Sequence, residues 1–144
     1  MKIRQKAVCC IRRADAFLFT VRHDGEPPET TFFIPPGGMI ESGEKPGDAA
    51  TREAQEELGC HVPAWDSLGV QMDEFTFRGE RCRETVHIFA APLPPDSRIG
   101  SHMRESNGDV HPLRWFTTDQ LRTCHLPVYP PGLPEVLSRY VASR

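Results

Sequence analysis

The chain has 144 residues, a length that suits one domain with a buried core. Hydrophobic residues make up 38% and charged residues 26%, the balance of a soluble globular protein. A formal net charge of -3 argues against broad binding to nucleic acid or anionic membranes, which needs basic patches. Small phosphorylated ligands stay open, because a metal ion can supply positive charge. The five cysteines are odd in number and form no CxxC, so they read as reduced, mostly buried thiols of a cytoplasmic protein. No apolar run approaches the length of a membrane span, and "MKIRQKAVCC" lacks a signal-peptide core.

"KAVCCIRR" and "AFLFTVRH" are short apolar segments split by the turn-prone Ala14-Asp15, which predicts a pair of strands. "DGEPPET" reads as a loop, and "TFFIPP" as a short strand stopped by Pro35-Pro36. A glycine turn follows, then a helix from about Pro46 to Leu58. Pro46 suits the first helical turn, where its missing N–H costs nothing, and Gly59 suits the stop. "WDSLGVQMDEFTF" and "ETVHIFAAPL" predict two more strands around a polar turn at Arg78-Gly79-Glu80. The stretch from Pro92 to Pro112 has almost no apolar periodicity and reads as a long loop. "LRWF" is a last short strand. "TTDQLRT" starts a helix capped by Thr117 or Thr118, and "PEVLSRYVAS" makes a final amphipathic helix with Pro134 in its first turn. On these elements alone the chain is a single α+β or α/β domain spanning residues 1–144.

The helix after the glycines carries the chemistry. Residues three and four apart share a helical face, so Glu53, Glu56 and Glu57 form one acidic patch. Ala50, Ala54 and Leu58 form an apolar stripe narrow enough to lie close against a sheet. Arg52 stands four residues before Glu56, within pairing reach. Most glutamate-rich helices simply present a solvated face. Clustered carboxylates repel each other, however, unless a cation binds, and their hard oxygens suit Mg²⁺. The upstream glycines would let backbone approach a ligand closely.

The spacing is specific. Gly38, five residues, Glu44, seven residues, then "REAQEELGC" resembles the Nudix box, with Gly38, Glu44, Arg52, Glu53, Glu56, Glu57 and Gly59 at its fixed positions. At ordinary residue usage, a chance match has odds on the order of one in a million. Ala54 and Cys60 depart mildly from the box's aliphatic positions. The leading strands, "IPPGG" and "RWFTTDQL" also resemble that family. The resemblance implies an α/β fold of the Nudix type, an α/β/α sandwich around a mixed β-sheet. It implies a hydrolase that cleaves the pyrophosphate of a nucleoside diphosphate linked to a further group X. Glu53, Glu56 and Glu57 would bind Mg²⁺ or Mn²⁺, with the Gly37 carbonyl as an added ligand. Arg52 would orient a glutamate of the cluster, and Glu44 would support loop and helix. The general base would be Glu53, or a carboxylate of a distal loop, for which Glu105 and Asp109 are the candidates.

The resemblance does not name X. Phe75 and Thr76 stand where ADP-ribose hydrolases often place a proline. Thr76, Phe77 and Arg78 stand where dinucleoside-polyphosphate hydrolases often place a tyrosine. Phe32, Phe33, Phe75, Phe77 and Trp115 are possible base-stacking residues, though strand aromatics more often build core. Arg78, Arg81, Arg83 and His87 are phosphate-binding candidates, weighed against an exposed hairpin tip. The expected partner is a nucleotide-type small molecule, with no nucleic acid or membrane, bound by a monomer or homodimer. A nucleotide sensor without catalysis is the rival reading, disfavoured by the intact box.

Overall fold

The computed structural model describes every residue except Glu26 and Glu29. Those two belong to the loop expected over 24–30, so that part of the expectation lies outside the described residues. Strand β1 (Lys2–Arg13) organises the rest. Its run Ala7-Val8-Cys9-Cys10-Ile11 is wholly inaccessible, so both faces of the strand must be covered. Val8 and Cys10 enter one core, while Ala7, Cys9 and Ile11 enter a second core on the opposite face.

β2 (Ala16–Arg22) returns antiparallel to β1 across a turn in which Ala14 takes a left-handed φ of 55°. The two strands pair only beside that turn, at Arg12–Phe17 and Arg13–Ala16. Farther out they part. β3 (Phe32–Ile34) pairs with β2, and β4 (Gly37–Met39) pairs with β1. The expected glycine turn is thus a short strand. A Cβ at Gly37 would stand 2.2 Å from the Ala7 carbonyl oxygen, so only glycine allows this pairing.

Helix α1 (Pro46–Leu58) has Pro46 in its first turn and ends at Gly59 in the left-handed conformation, φ 66°. Ala49, Ala50 and Ala54 are fully buried, and their small side chains bring the helix close enough for the Cys9 thiol to reach the Ala50 carbonyl at 3.3 Å. β5 (Asp66–Phe77) and β6 (Glu80–Pro92) form a long antiparallel pair, and β6 runs parallel to β1 over the length of that strand.

The stretch expected as a loop over 92–112 contains β7 (His102–Arg104), which pairs with β8 (Val110–Thr117). Only Met103 of β7 is buried, so three residues of edge strand leave no apolar period to read. Helix α2 (Thr118–Thr123) carries a full capping box between Thr117 and Gln120, and α3 (Leu133–Ala142) follows. The sheet order is β5-β6-β1-β2-β8-β7. One parallel pair among antiparallel ones makes it a mixed sheet. α1 covers one face and α2 with α3 the other, which is the α/β/α sandwich expected.

Candidate active site

The parting of β1 from β2 opens a cleft, and α1 closes one end of it with carboxylates. Glu53 and Glu57, one turn apart on α1, both face β4. The Gly37–Val8 pair falls between ladder hydrogen bonds, since Cys9 donates to the Pro36 carbonyl and Ile40 to the Gln5 carbonyl. The Gly37 N–H is therefore free of β1 and donates to Glu57 Oε1 at 2.9 Å. Gly38 lies against Glu53 so closely that a Cβ there would be 2.5 Å from Glu53 Oε1. The first glycine admits the strand and the second admits the carboxylate.

Arg52 locks this arrangement. Its guanidinium donates to both oxygens of Glu44 at 2.9 and 3.0 Å, to Glu53 Oε1 at 2.9 Å and to the Met39 carbonyl at 3.0 Å. The two-pronged bond to Glu44 fixes the plane of the guanidinium, and that plane aims it at Glu53. Arg52 and the backbone N–H of Glu41 hold the Glu44 carboxyl down to about 2, while Glu44 and Glu53 raise Arg52 further. Arg52 reaches Glu56 at 3.4 Å, a looser contact, and Glu56 is half exposed. The main partners of Arg52 are thus Glu44 and Glu53.

Glu53 and Glu57 carry more negative charge than their surroundings offset. Burial raises the Glu53 carboxyl despite Arg52, and burial together with the charge of Glu53 pushes Glu57 up to about 8. Two crowded carboxylates beside an exposed third, all presenting oxygen donors, suit a hard divalent cation such as Mg²⁺ or Mn²⁺.

A cavity of about 430 Å³ begins at Gly37, Gly38 and Glu57 and runs between Lys6 of β1 and Arg22 of β2. Arg4, Lys6, Arg22 and Ile34 also line a second cavity of about 530 Å³, so the two adjoin. The far cavity has Phe32, Phe75, Phe77 and Tyr129 in its walls. Tyr129 reaches it because the segment 127–129 lies along β3, with Phe33 donating to the Pro127 carbonyl and Tyr129 to the Phe33 carbonyl. One cleft therefore runs from a carboxylate end, along a cationic middle, to an aromatic end.

The β7–β8 turn brings Glu105 into the near cavity. Its backbone N–H donates to the Asp109 carbonyl, and its side chain pairs with Arg22 Nη1 at 3.0 Å. Glu57 lines the same cavity, and the negative charge of Glu105 contributes to raising its carboxyl. Asp109 and His111 offer atoms within 4.8 Å of Glu105. Asp109 itself is exposed, bound to Asn107, and does not line the cavity.

The profile of the NUDIX domain matches residues 3–140. The chain belongs to the Nudix family. An ADP-ribose pyrophosphatase of Haemophilus influenzae is 35% identical over 81 residues, covering 51% of this chain and 32% of that protein. The match thus spans about a third of the relative's length. The MutT protein of Methanosarcina mazei Go1 superposes with a TM-score of 0.68 at 18% identity, over 99% of this chain and 95% of that one. A MutT Nudix hydrolase of Burkholderia pseudomallei gives 0.64 at 23%, over 96% and 98%, and the Caenorhabditis elegans Ap4A hydrolase 0.61 at 16%, over 98% of each. At these identities the structures establish the shared sandwich fold.

Within this Nudix fold the box residues take distinct positions. Gly59 ends α1, Glu44 and Arg52 form the clamp, Glu53 and Glu57 face β4, and Glu56 lies outward. Of the expected stacking aromatics, Phe32, Phe75 and Phe77 line the cleft, whereas Phe33 packs in one core and Trp115 against the other. Of the four cationic candidates, the exposed-hairpin alternative fits three. Arg81 and Arg83 pair with Glu74 on the exposed β5–β6 ribbon, Arg78 lies over the Phe77 ring, and His87 meets Gln5. None of the four lines either cavity. Arg4, Lys6 and Arg22 do, and sequence reading passed over them. Their signal was the strand period, since Arg4 and Lys6 lie on the same face of β1 as buried Val8. Tyr129 had no comparable signal.

Proposed function

We propose that the chain, as a single Nudix domain, is a divalent-metal-dependent pyrophosphohydrolase. Its substrate is a nucleoside diphosphate linked to X, with a nucleoside triphosphate or related derivative favoured. The observation that carries this reading is the Glu53–Glu57 pair set against Gly37–Gly38 at the mouth of a cation-lined cleft. Glu53, Glu56 and Glu57 would hold Mg²⁺ or Mn²⁺, with the Gly37 carbonyl as a further oxygen. When bound, that ion neutralises phosphate oxygens and acidifies water.

The protein's own residues do the rest. Arg4, Lys6 and Arg22 bind and align the phosphate chain, and the aromatic end receives the nucleoside. Arg52, held by Glu44, keeps Glu53 in place. Glu53 or Glu105 accepts the proton of the attacking water as general base, and Glu105 lines the near cavity with Glu57. The five free cysteines support a reducing compartment, the cytoplasm. Burial raises the Cys9 and Cys10 thiols, Cys10 to about 12, so neither is a nucleophile. Among the described residues, no helix is long and apolar enough to cross a membrane.

The test is hydrolysis of nucleoside triphosphates, ADP-ribose, nucleotide sugars and dinucleoside polyphosphates with Mg²⁺, products identified by mass. Glu57→Gln should keep the fold and lower turnover by roughly a hundredfold or more. Undiminished turnover in that variant would refute the metal-site assignment, and nucleotide binding without any hydrolysis would favour a sensor.

A further inference from the structure

The aromatic end of the cleft holds two carboxylates that phosphate chemistry does not use. Asp73 on β5 and Glu84 on β6 stand directly opposite each other in the ladder, and both line the 530 Å³ cavity. Glu84 is only 2% exposed. Its Oε1 accepts the Tyr129 hydroxyl, while Arg4 and Lys6 lie at 3.6 and 3.9 Å, beyond hydrogen-bond length. Asp73 is half-buried and, among the described residues, makes no hydrogen bond or ion pair.

Like charges directly opposite on a sheet are unfavourable. Arg4 and Lys6 account for Glu84. Among the described residues no cation pairs with Asp73, and its half-exposed carboxylate is left to water and to whatever enters the cavity. Phe32, Phe75, Phe77 and Tyr129 are among the lining residues, with Phe75 edge-on to Tyr129, and the volume lies in the range of small-ligand pockets. A planar heterocycle stacked on one of those rings would present its edge to the two carboxylates. An ionised carboxylate only accepts hydrogen bonds, so an N–H₂ group on that edge is attracted and a carbonyl oxygen is repelled.

We propose that Asp73 and Glu84 read the edge of the nucleobase and select bases bearing an exocyclic amine over bases with a carbonyl at the same position. The inference rests on the nucleotide hydrolysis proposed above. Cytosine and uracil give the sharpest comparison, because they differ in size very little. Cytosine's amine has two protons, one for each carboxylate, whereas uracil offers a single N3–H beside a repelled carbonyl. CTP should exceed UTP in kcat/KM by about tenfold or more, mostly through KM, because the contact lies far from the reacting phosphates.

The decisive variant is Asp73→Asn, chosen because among the described residues Asp73 has no hydrogen bond or ion pair to lose. Its amide offers an N–H₂ donor to a carbonyl, so the CTP/UTP ratio should fall to within about threefold or reverse. Affinities of CMP and UMP, measured by calorimetry without metal, should follow the same ratio and the same collapse. Equal constants for CTP and UTP in the wild type, or a ratio unmoved by Asp73→Asn, would overturn base reading while leaving pyrophosphate hydrolysis intact. If no nucleotide is hydrolysed, the proposed reaction fails instead, and the CMP/UMP affinities still decide the base-reading role.

Discussion

Gly38→Ala isolates the site from the fold. Gly38 has no left-handed φ, so alanine fits the backbone, and the loss of unfolded-state freedom is worth up to about 1 kcal/mol in its favour. The new Cβ would stand 2.5 Å from Glu53 Oε1 and 2.7 Å from its carboxyl carbon. Ordinary contact begins near 3.4 Å, so the carboxylate must retreat by about 0.9 Å, from 2.5 to 3.4. Arg52 opposes that retreat, since it grips Glu53 at 2.9 Å and is itself gripped twice by Glu44. A misplacement of about 1 Å at a reacting centre costs roughly a hundredfold in rate. Initial rates of Mg²⁺-dependent hydrolysis should therefore fall by about that factor, while the thermal midpoint stays within a few degrees of wild type. Gly47→Ala is the control: it lies in α1, meets nothing within 4 Å, and should leave turnover unchanged. Wild-type turnover in Gly38→Ala, with an unaltered metal requirement, would refute the proposed role of Glu53 in turnover.

Two further outcomes follow from other parts of the molecule. Because the Glu57 carboxyl rises to about 8 in the fold and Glu53 is also raised, the folded chain binds more protons than the unfolded chain between about pH 4.5 and 8. The stabilisation this gives is present below the unfolded value and is lost as pH rises through the folded one. The metal-free thermal midpoint should thus carry a component that declines across that window, and the midpoint gain from added Mg²⁺ should grow with pH, as scanning calorimetry can measure; a gain independent of pH would contradict it. Thr117→Ala removes the hydroxyl half of the α2 capping box and should cost about 1 kcal/mol in urea unfolding, with no effect on the metal requirement.

How far the sequence reading reached depended on whether each feature was local. α1 was legible end to end because Pro46, Gly59 and the buried alanines act within one helix. The buried run of β1 and the Thr117 cap were legible for the same reason. β7 was missed because three residues pair only through a partner six residues further on, and one buried methionine makes no pattern. The glycine pair was read as a turn because its reason for being glycine lies in Ala7 and Glu53, distant in sequence. Arg52 was placed with Glu56 by helical spacing, whereas Glu44, outside the helix, takes both prongs of the guanidinium.

The sequence by itself determined the family, through it the sandwich, and the acidic helix, since the motif's spacing is specific and its carboxylates share one helix. Tertiary structure alone decided which charges meet. The parting of β1 from β2 brings Arg4, Lys6 and Arg22 to one wall and joins the carboxylate end to the aromatic end. The β7–β8 turn carries Glu105 into the cavity that Glu57 lines, and the segment along β3 sets Tyr129 on Glu84. Electrostatic energy depends on distances between side chains from separate elements, and only the folded chain sets those distances.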